Sequence, residues 1–432
     1  TRFLLLEKRI NMIIKQKGTI DIYGDEALRW QYVESLIKDF CQTYNYGWIR
    51  TPVFEATELF HRGVGETTDI VTKETYDFKD RGERNVTLRP EGTAGVVRSY
   101  IENKMYGGAT QPVKFFYLEP MYRYERPQSG RLREFSQFGC EVIGCDDAYI
   151  DAEIISIPVN LFKTLGLRNV KVELNSLGDK ESRENYREAL INYLRPHIDE
   201  LCEDCKVRLE KNPLRILDCK IDGDNEIIKN APKTTDYLTD DAKKRFEAVK
   251  HYLDVMDIDY EVNPKIVRGL DYYNHTVFEI MADIDSMGSQ STLAAGGRYN
   301  GMIETLGGPS TPAIGFACGL DRLMLALEKE DIELPIKNWI DAYIMYVSDT
   351  EKDFAVNICQ TLRLSGFDVE MENMGRSLKA QFKQADRLNS KFLIILNDED
   401  LNNKTLKIKD NVTKEEVTIN EDELVDYINM NM

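Results

Sequence analysis

The sequence predicts a multidomain protein of mixed class, part α+β and part α/β. Three observations carry this. The chain has 432 residues, and at roughly 100–200 residues per domain that length holds about two to four domains. Strand-like runs at 85–144, 266–280 and 311–318 are spaced unevenly among helical stretches. Beyond residue 339 the pattern becomes a regular β-α-β-α-β alternation, the mark of a small α/β domain with a largely parallel sheet.

Composition narrows the class. Lys plus Arg is 56 and Asp plus Glu 74, a formal charge of −18. Apolar residues are 42% and aromatics 10%, enough to fill cores, which excludes disorder and collagen-like structure. No apolar run approaches the ~18 residues of a membrane span, and the greasy patch at 3–6 is too short for a signal peptide. Eight cysteines are too sparse for a disulfide framework, so a reducing cytoplasm is expected. The acidic balance reads as solubility and argues against non-specific nucleic-acid binding. A specific RNA partner would need cations gathered locally.

The elements follow in order. Residues 1–11 fall outside the pattern and are expected to be a non-native or disordered leader before Met12, or a fraying helix. Residues 25–44 form an amphipathic helix with Leu28, Tyr32, Val33, Leu36, Ile37 and Phe40 on one face and Asp25 as N-cap. Residues 48–54 read as a strand broken by Pro52, which suits an edge or an interface. A helix is expected at 150–165 and a strand at 170–174, ending in the loop Asn175-Ser176-Leu177-Gly178-Asp179. From about 180 to 256 the chain turns charged and helix-forming, an insertion with its own small core. Residues 335–339 are a linker. Strands at 342–347, 369–372 and 392–396 then alternate with helices at 351–364, stopped by Gly366, and 378–388. The expected domains are therefore 12–334, interrupted by the insertion, and 335–432.

Neither a G-x-x-x-x-G-K-[ST] loop nor a complete G-x-G-x-x-G is present, and H-E-x-x-H is absent. Three arginine-centred segments stand out instead. In MYRYERPQSGRLREF (121–135) a strand–loop–strand turns at 127–130 and puts Arg123 and Glu125 on one face. Arginine suits bidentate phosphate contacts; a solvated basic hairpin is the alternative. In VRGLDYY (267–273) Arg268 either faces a cavity or pairs with Asp271. In GFACGLDRL (315–323) a strand of small residues runs into a helix with Arg322 in its first turn. That arrangement admits an anion at the helix N-terminus, or simply tight strand–helix packing. Glu91 sits in a turn-like loop, and Glu141 follows Gln137 at a strand-compatible spacing of four. A cationic small molecule would need such carboxylates.

Two further features keep two readings each. Cys202 and Cys205 form a C-x-x-C with Cys219 beyond. They are either zinc ligands, with His197 as the fourth, or reduced structural cysteines; no second C-x-x-C follows, and no metal site is assigned. Lys379, Lys383 and Arg387 share one helix face, either solvated or facing RNA.

Together these segments resemble class II aminoacyl-tRNA synthetases, and among them the histidyl-tRNA synthetase family. Residues 46–54 resemble the first class motif, which forms the dimer interface, the Arg123 segment the second, and 315–323 the third. RGLDYYNHTVFE (268–279) and GGRYNGM (296–302) resemble the two histidine-specific signatures, and LRPEGTAG (88–95) and NSLGD (175–179) agree. The similarity runs from about residue 17 to the end and is weakest in the insertion. Asn274 and His275 stand where the family often has Thr-Gly, and Leu132, Glu134 and Ser136 where it often has Tyr, Gln and His.

The resemblance implies a catalytic domain on an antiparallel sheet, with a helical insertion and a C-terminal α/β anticodon-binding domain. It implies a cytoplasmic homodimer that makes histidyl-adenylate from L-histidine and ATP with Mg²⁺ and passes the histidyl group to tRNA. Catalysis would rest on Arg123 and Arg268. Arg131 and Arg322 would hold the outer phosphates, while Phe135 and Glu125 take the adenine. Histidine would meet Glu91, Gly92, Thr93 and Gln137 at its α-ammonium end, with Arg123 on its carboxylate and the α-phosphate and Arg268 approaching that phosphate from the other side. Glu141, Tyr272 and Tyr273 would meet its ring. A regulatory paralogue, the subunit of ATP phosphoribosyltransferase, resembles the catalytic part but lacks the C-terminal module and often the key arginines; all are present here.

Overall fold

The computed structural model describes residues 12–432, apart from 66, 67, 109, 220, 224, 268, 269, 271, 283, 285, 286 and 288–290. The leader at 1–11 and Arg268 therefore lie outside the described residues. The backbone divides into two compact units, with Trp30–Leu334 the bulk of one and Pro335–Met432 the bulk of the other.

The first unit is organised by an eight-stranded sheet. Its order is Gly47–Trp48, Val113–Tyr122, Glu134–Ile143, Ala313–Gly319, Thr292–Arg298, Asn274–Ala282, Val170–Ser176 and Tyr260–Val262. The six interior strands pair antiparallel, as expected. The two edge strands are short and parallel to their neighbours; each joins the sheet by a crossover rather than a hairpin, which is how parallel pairs form. The strand expected at 266–280 begins only at Asn274; of the stretch before it, the described residues Ile266, Val267, Leu270, Tyr272 and Tyr273 lie outside any strand.

Period-two alternation assigns the faces. Phe138, Cys140 and Val142, with Ile314, Phe316 and Cys318 on the neighbouring strand, enter one apolar core. Against that face pack the helix Ala148–Thr164, the buried Trp30, Val33, Ile37 and Cys41 of the helix Asp25–Thr43, and Phe246, Val249 and Leu253 of the helix Asp240–Val255. The intervening residues, Phe135, Gln137, Gly139 and Glu141 with Gly315, Ala317 and Gly319, face the other way. That second face, polar or small, is where the site forms.

A three-stranded sheet of Phe54–Ala56, Asn85–Leu88 and Tyr76–Lys79 supplies the loop that carries Glu91. The insertion folds as the helices Lys180–Leu194, Glu203–Lys211 and Glu226–Lys229 with intervening 3-10 turns. Its core, built on Tyr186, Leu190, Leu194, Leu209 and Ile228, is not closed on itself. It continues into Ile266, Val267, Tyr273 and Val277.

In the second unit the sheet order is Val369–Met371, Ala342–Tyr346, Phe392–Leu396, Thr405–Asp410 and Glu416–Asn420. The first three strands are parallel, as the β-α-β-α-β pattern predicts, and the last two add antiparallel. Lys379, Lys383 and Arg387 all lie exposed on the helix Leu378–Arg387. Among the described residues no helix is long and apolar enough to cross a membrane.

Candidate active site

A cavity of ≈ 760 Å³ opens on the polar face of the large sheet. Glu91, Thr93, Arg123, Glu125, Arg131, Phe135, Gln137, Tyr272, Tyr273 and Arg322 line it. Residues from five separate segments thus meet in one hollow. Gly92 sits just outside as N-cap of the helix Thr93–Glu102.

One end is cationic. The strands Val113–Tyr122 and Glu134–Ile143 are joined by a loop whose tip, Gln128 to Arg131, closes on itself by paired backbone bonds. Arg123 leaves the first strand and donates from Nε to the Pro90 carbonyl at 2.8 Å. Its guanidinium lies 5.2 Å from the Phe135 ring centroid and 3.8 Å from Glu125. Arg131 pairs with the other oxygen of the buried Glu125. Arg322 enters from the first turn of the helix Leu320–Lys329 and donates to the carbonyls of Gly130 and Thr292, at 3.3 and 3.1 Å. Burial first, and then the Arg131 guanidinium, lowers Arg322 from the ordinary arginine value. An anion bound among these groups relieves both effects.

The other end is acidic and closed. Glu91 accepts the backbone N–H groups of Thr93 and Ala94 at 2.9 and 2.7 Å, capping the helix that follows. Burial raises its pKa against those bonds. Glu141 is 1% exposed and does not line the cavity. Its oxygens accept the hydroxyls of Thr93 and Tyr299, each at 2.7 Å, so it lies one layer beneath. Burial pushes its pKa up to about 8. A Cβ at Gly315, its cross-strand partner, would collide with this carboxyl, so the close approach requires glycine there. Gln137 Oε1 lines the same end and finds no hydrogen-bond partner among the described residues.

Sequence reasoning did not single out Tyr299, the partner of Glu141, or Tyr117, which packs against the same carboxyls. Nor did it assign Glu279, Thr292 or Asp321, which line the cavity. Tyr299 lies within the GGRYNGM segment, so its position carried a signal but its role did not. Tyr117 sits in an ordinary apolar strand and carried none.

The model of the histidyl-tRNA synthetase family matches residues 18–323, and that of the anticodon-binding domain matches 341–431. A protein from Bacillus cytotoxicus named histidine–tRNA ligase is 52% identical over 412 residues, covering 95% of this chain and 97% of that protein. The chain belongs to the histidyl-tRNA synthetase family. A histidine–tRNA ligase from Oceanobacillus iheyensis is 50% identical over 95% of this chain and 96% of its own length. The crystal structure of apo S. aureus histidyl-tRNA synthetase is 42% identical, with a TM-score of 0.84 over 96% of this chain and 100% of that one. A structure from Bacillus halodurans C, described as an ATP phosphoribosyltransferase regulatory subunit/histidyl-tRNA synthetase, is 20% identical with TM-score 0.61 over 89% and 98% of the two chains, and shares the fold.

Two histidyl-tRNA synthetase signatures now have a physical reading. In GGRYNGM, Arg298 is fully buried and bonded to Asp151 and the Cys145 carbonyl, while Tyr299 holds Glu141. In LRPEGTAG, Arg89 pairs with buried Glu119 at 2.6 Å and with the Thr51 carbonyl at 2.7 Å, which anchors the Glu91 loop to the sheet. The departure at His275 also has a cost. Its φ of 46° is left-handed, where glycine is at ease and a side chain is not.

Proposed function

We propose the following division of labour for the ligation of histidine to its tRNA, the reaction of the family to which the chain belongs. The chain is an aminoacyl-tRNA ligase with histidine, ATP and tRNA as substrates. In the first step a carboxylate oxygen of histidine attacks the α-phosphorus of ATP and pyrophosphate leaves. In the second the terminal 3′-hydroxyl of tRNA takes the histidyl group and AMP leaves. Both steps call for positioning and cations rather than a nucleophilic side chain.

Arg123 holds the α-phosphate and the histidine carboxylate, with Arg268 as its partner in the same task. Arg131 and Arg322 take the outer phosphates, Phe135 stacks on the adenine, and Glu125 accepts its amino group. The cavity also offers the carboxylate of Glu279, a hard oxygen donor of the kind Mg²⁺ takes alongside phosphates. It would help to hold the Mg²⁺ that neutralises the outer phosphates. Glu91, Thr93 and Gln137 receive the α-ammonium group; the unpartnered Gln137 oxygen supports this. Tyr273 and Glu141 read the imidazole nitrogens beside Tyr272. Glu141 does so from beneath, exchanging a hydroxyl partner for the ring when histidine enters.

Residues 12–334, with the insertion at about 180–256, form the catalytic domain, and 335–432 the anticodon-binding domain, whose Lys379, Lys383 and Arg387 face RNA. The chain works as a cytoplasmic homodimer through the first-motif segment. Exposure of Trp48 and Phe54 there, at 60% and 57%, supports that interface.

The observation that carries the reading is the convergence of Arg123, Arg131 and Arg322 with Glu91, Thr93 and Gln137 on one cavity. Histidine-dependent ATP–pyrophosphate exchange tests it. Exchange is expected with histidine alone among the amino acids; no exchange, or exchange driven equally by another amino acid, overturns it.

A further inference from the structure

The insertion holds a cluster that ligation does not use. Cys202 is the N-cap of the helix Glu203–Lys211, and Cys205 sits in its first turn. Cys219 follows the 3-10 turn Pro213–Ile216. The chain then doubles back: the Gly223 N–H donates to the Cys219 carbonyl at 2.7 Å. A Cβ at Gly223 would come within 2.6 Å of that oxygen, so the turn requires glycine. Its effect is to fold Asp222 back onto the cysteines.

The three sulfurs and an Asp222 oxygen all lie within 4.8 Å of one another. Cys202 Sγ is 3.7 Å from Cys219 Sγ, and Cys219 Sγ is 3.8 Å from Asp222 Oδ2. A tetrahedral zinc with sulfurs at about 2.3 Å sets neighbouring sulfurs about 3.8 Å apart. A disulfide would bring them to ~2.05 Å. Cys205, Cys219 and Asp222 are buried. Burying thiols is ordinary, but burying a carboxylate among them is not, because it needs a partner of opposite charge. The contacts of Asp222 among the described residues are the Cys202 N–H and the thiols. His197, the fourth ligand considered from sequence, is instead half-exposed and bonded to Glu200 at 3.0 Å.

We propose that Cys202, Cys205, Cys219 and Asp222 form a tetrahedral zinc site that closes the core of the insertion. Four protein ligands leave no open position, so the site is structural rather than catalytic. Arg208, one turn after Cys205, lies close enough to the sulfurs of Cys219 and Cys205 to offset their charge. Cys205 and Cys219 share a core with Leu190, Leu209 and Ile228, so the metal braces the whole segment.

Elemental analysis of the full-length protein, purified without added metal or chelator, is expected to give about one zinc per chain. Replacement by cobalt(II) should produce thiolate-to-metal charge transfer and the intense visible bands of a tetrahedral site. Asp222→Asn should shift those bands and weaken zinc binding at least about tenfold, with the far-ultraviolet circular dichroism retained. Native thiol titration should expose three further cysteines once a strong chelator is added. Absence of metal with all three thiols freely reactive overturns the proposal. So does a Cys202–Cys219 disulfide, seen as an intact mass two hydrogens lighter, or a weak octahedral cobalt spectrum. If Asp222→Asn fails to fold, the cobalt spectrum of the unaltered protein still decides.

Discussion

At one end of the cavity Arg123, Arg131 and Arg322 are held by backbone carbonyls or by Glu125. At the other, Glu91 and Glu141 are shut in among backbone N–H groups and hydroxyls, and among the described residues no guanidinium is bonded to either. The first end presents guanidinium groups and works by attraction, so it suits a transition state that gathers negative charge. At the second, burial raises the pKa of both carboxyls, that of Glu141 to about 8. This end discriminates by what a wrong occupant would leave unpaired, which is how a buried polar site rejects analogues.

That contrast can be broken most sharply at the cationic end. Arg123→Ala, and independently Arg268→Ala, should slow histidine-dependent pyrophosphate exchange by roughly 10²–10³, about 2.7–4 kcal/mol, with little change in thermal stability. An unchanged exchange rate would remove the residue from the chemistry. At the acidic end Glu141→Gln should raise KM for histidine by about 10–100-fold, roughly 1.4–2.8 kcal/mol, while KM for ATP moves by less than about twofold. Equal effects on the two substrates would erase the distinction between the ends.

The same substitution sharpens the comparison through pH. The Glu141 pKa is raised from 4.5 to about 8 in the folded state. Below 4.5 the carboxyl is protonated whether folded or not, and its contribution to stability is intact. As pH rises toward 8 the unfolded chain ionises first, so stability is lost across that window. Glu141→Gln should flatten the melting temperature between about pH 6 and 8, by on the order of 1 kcal/mol. A profile as steep as that of the unaltered protein would mean the carboxyl is not the titrating group. The smallest effect is expected in the second unit. Lys383→Ala should weaken tRNA charging a few-fold, reduce the logarithmic salt slope by about 0.7, and leave pyrophosphate exchange untouched. Loss of exchange would count against RNA contact as its role.

Much of this was readable in the chain. The parallel strands of the second unit follow from apolar runs bounded by helices and a glycine stop, and Phe392–Leu396 falls where expected. Thr405–Asp410 and Glu416–Asn420 have no continuous apolar run to mark them: buried Leu406 and Ile408 alternate with lysines, and Val417 and Ile419 alternate with polar residues. The stretch before Asn274 reads locally as strand, since Ile266 and Val267 are β-branched. Instead they fill the core of the insertion, a tertiary demand no local pattern reveals. In the site, the segments of Arg123, Arg131, Arg322 and Glu91 stood out in the sequence, but spacing alone left each arginine segment with two readings until the cavity joined them. Tyr117 and the Glu141–Tyr299 bond did not stand out, since they join strands far apart in sequence. Asp222 escaped because a search for zinc ligands begins with cysteine and histidine.

The apolar cluster shared with Tyr273 makes the insertion and that wall of the cavity one mechanical piece. Tyr186 and Leu190 share a cluster with Ile266, Val267 and Tyr273, so trimming the segment away would remove the footing of a ring that lines the cavity. A minimal version of the enzyme could therefore not be made by deletion alone. It would need new side chains to fill the void under Tyr273 before the pocket regained its shape.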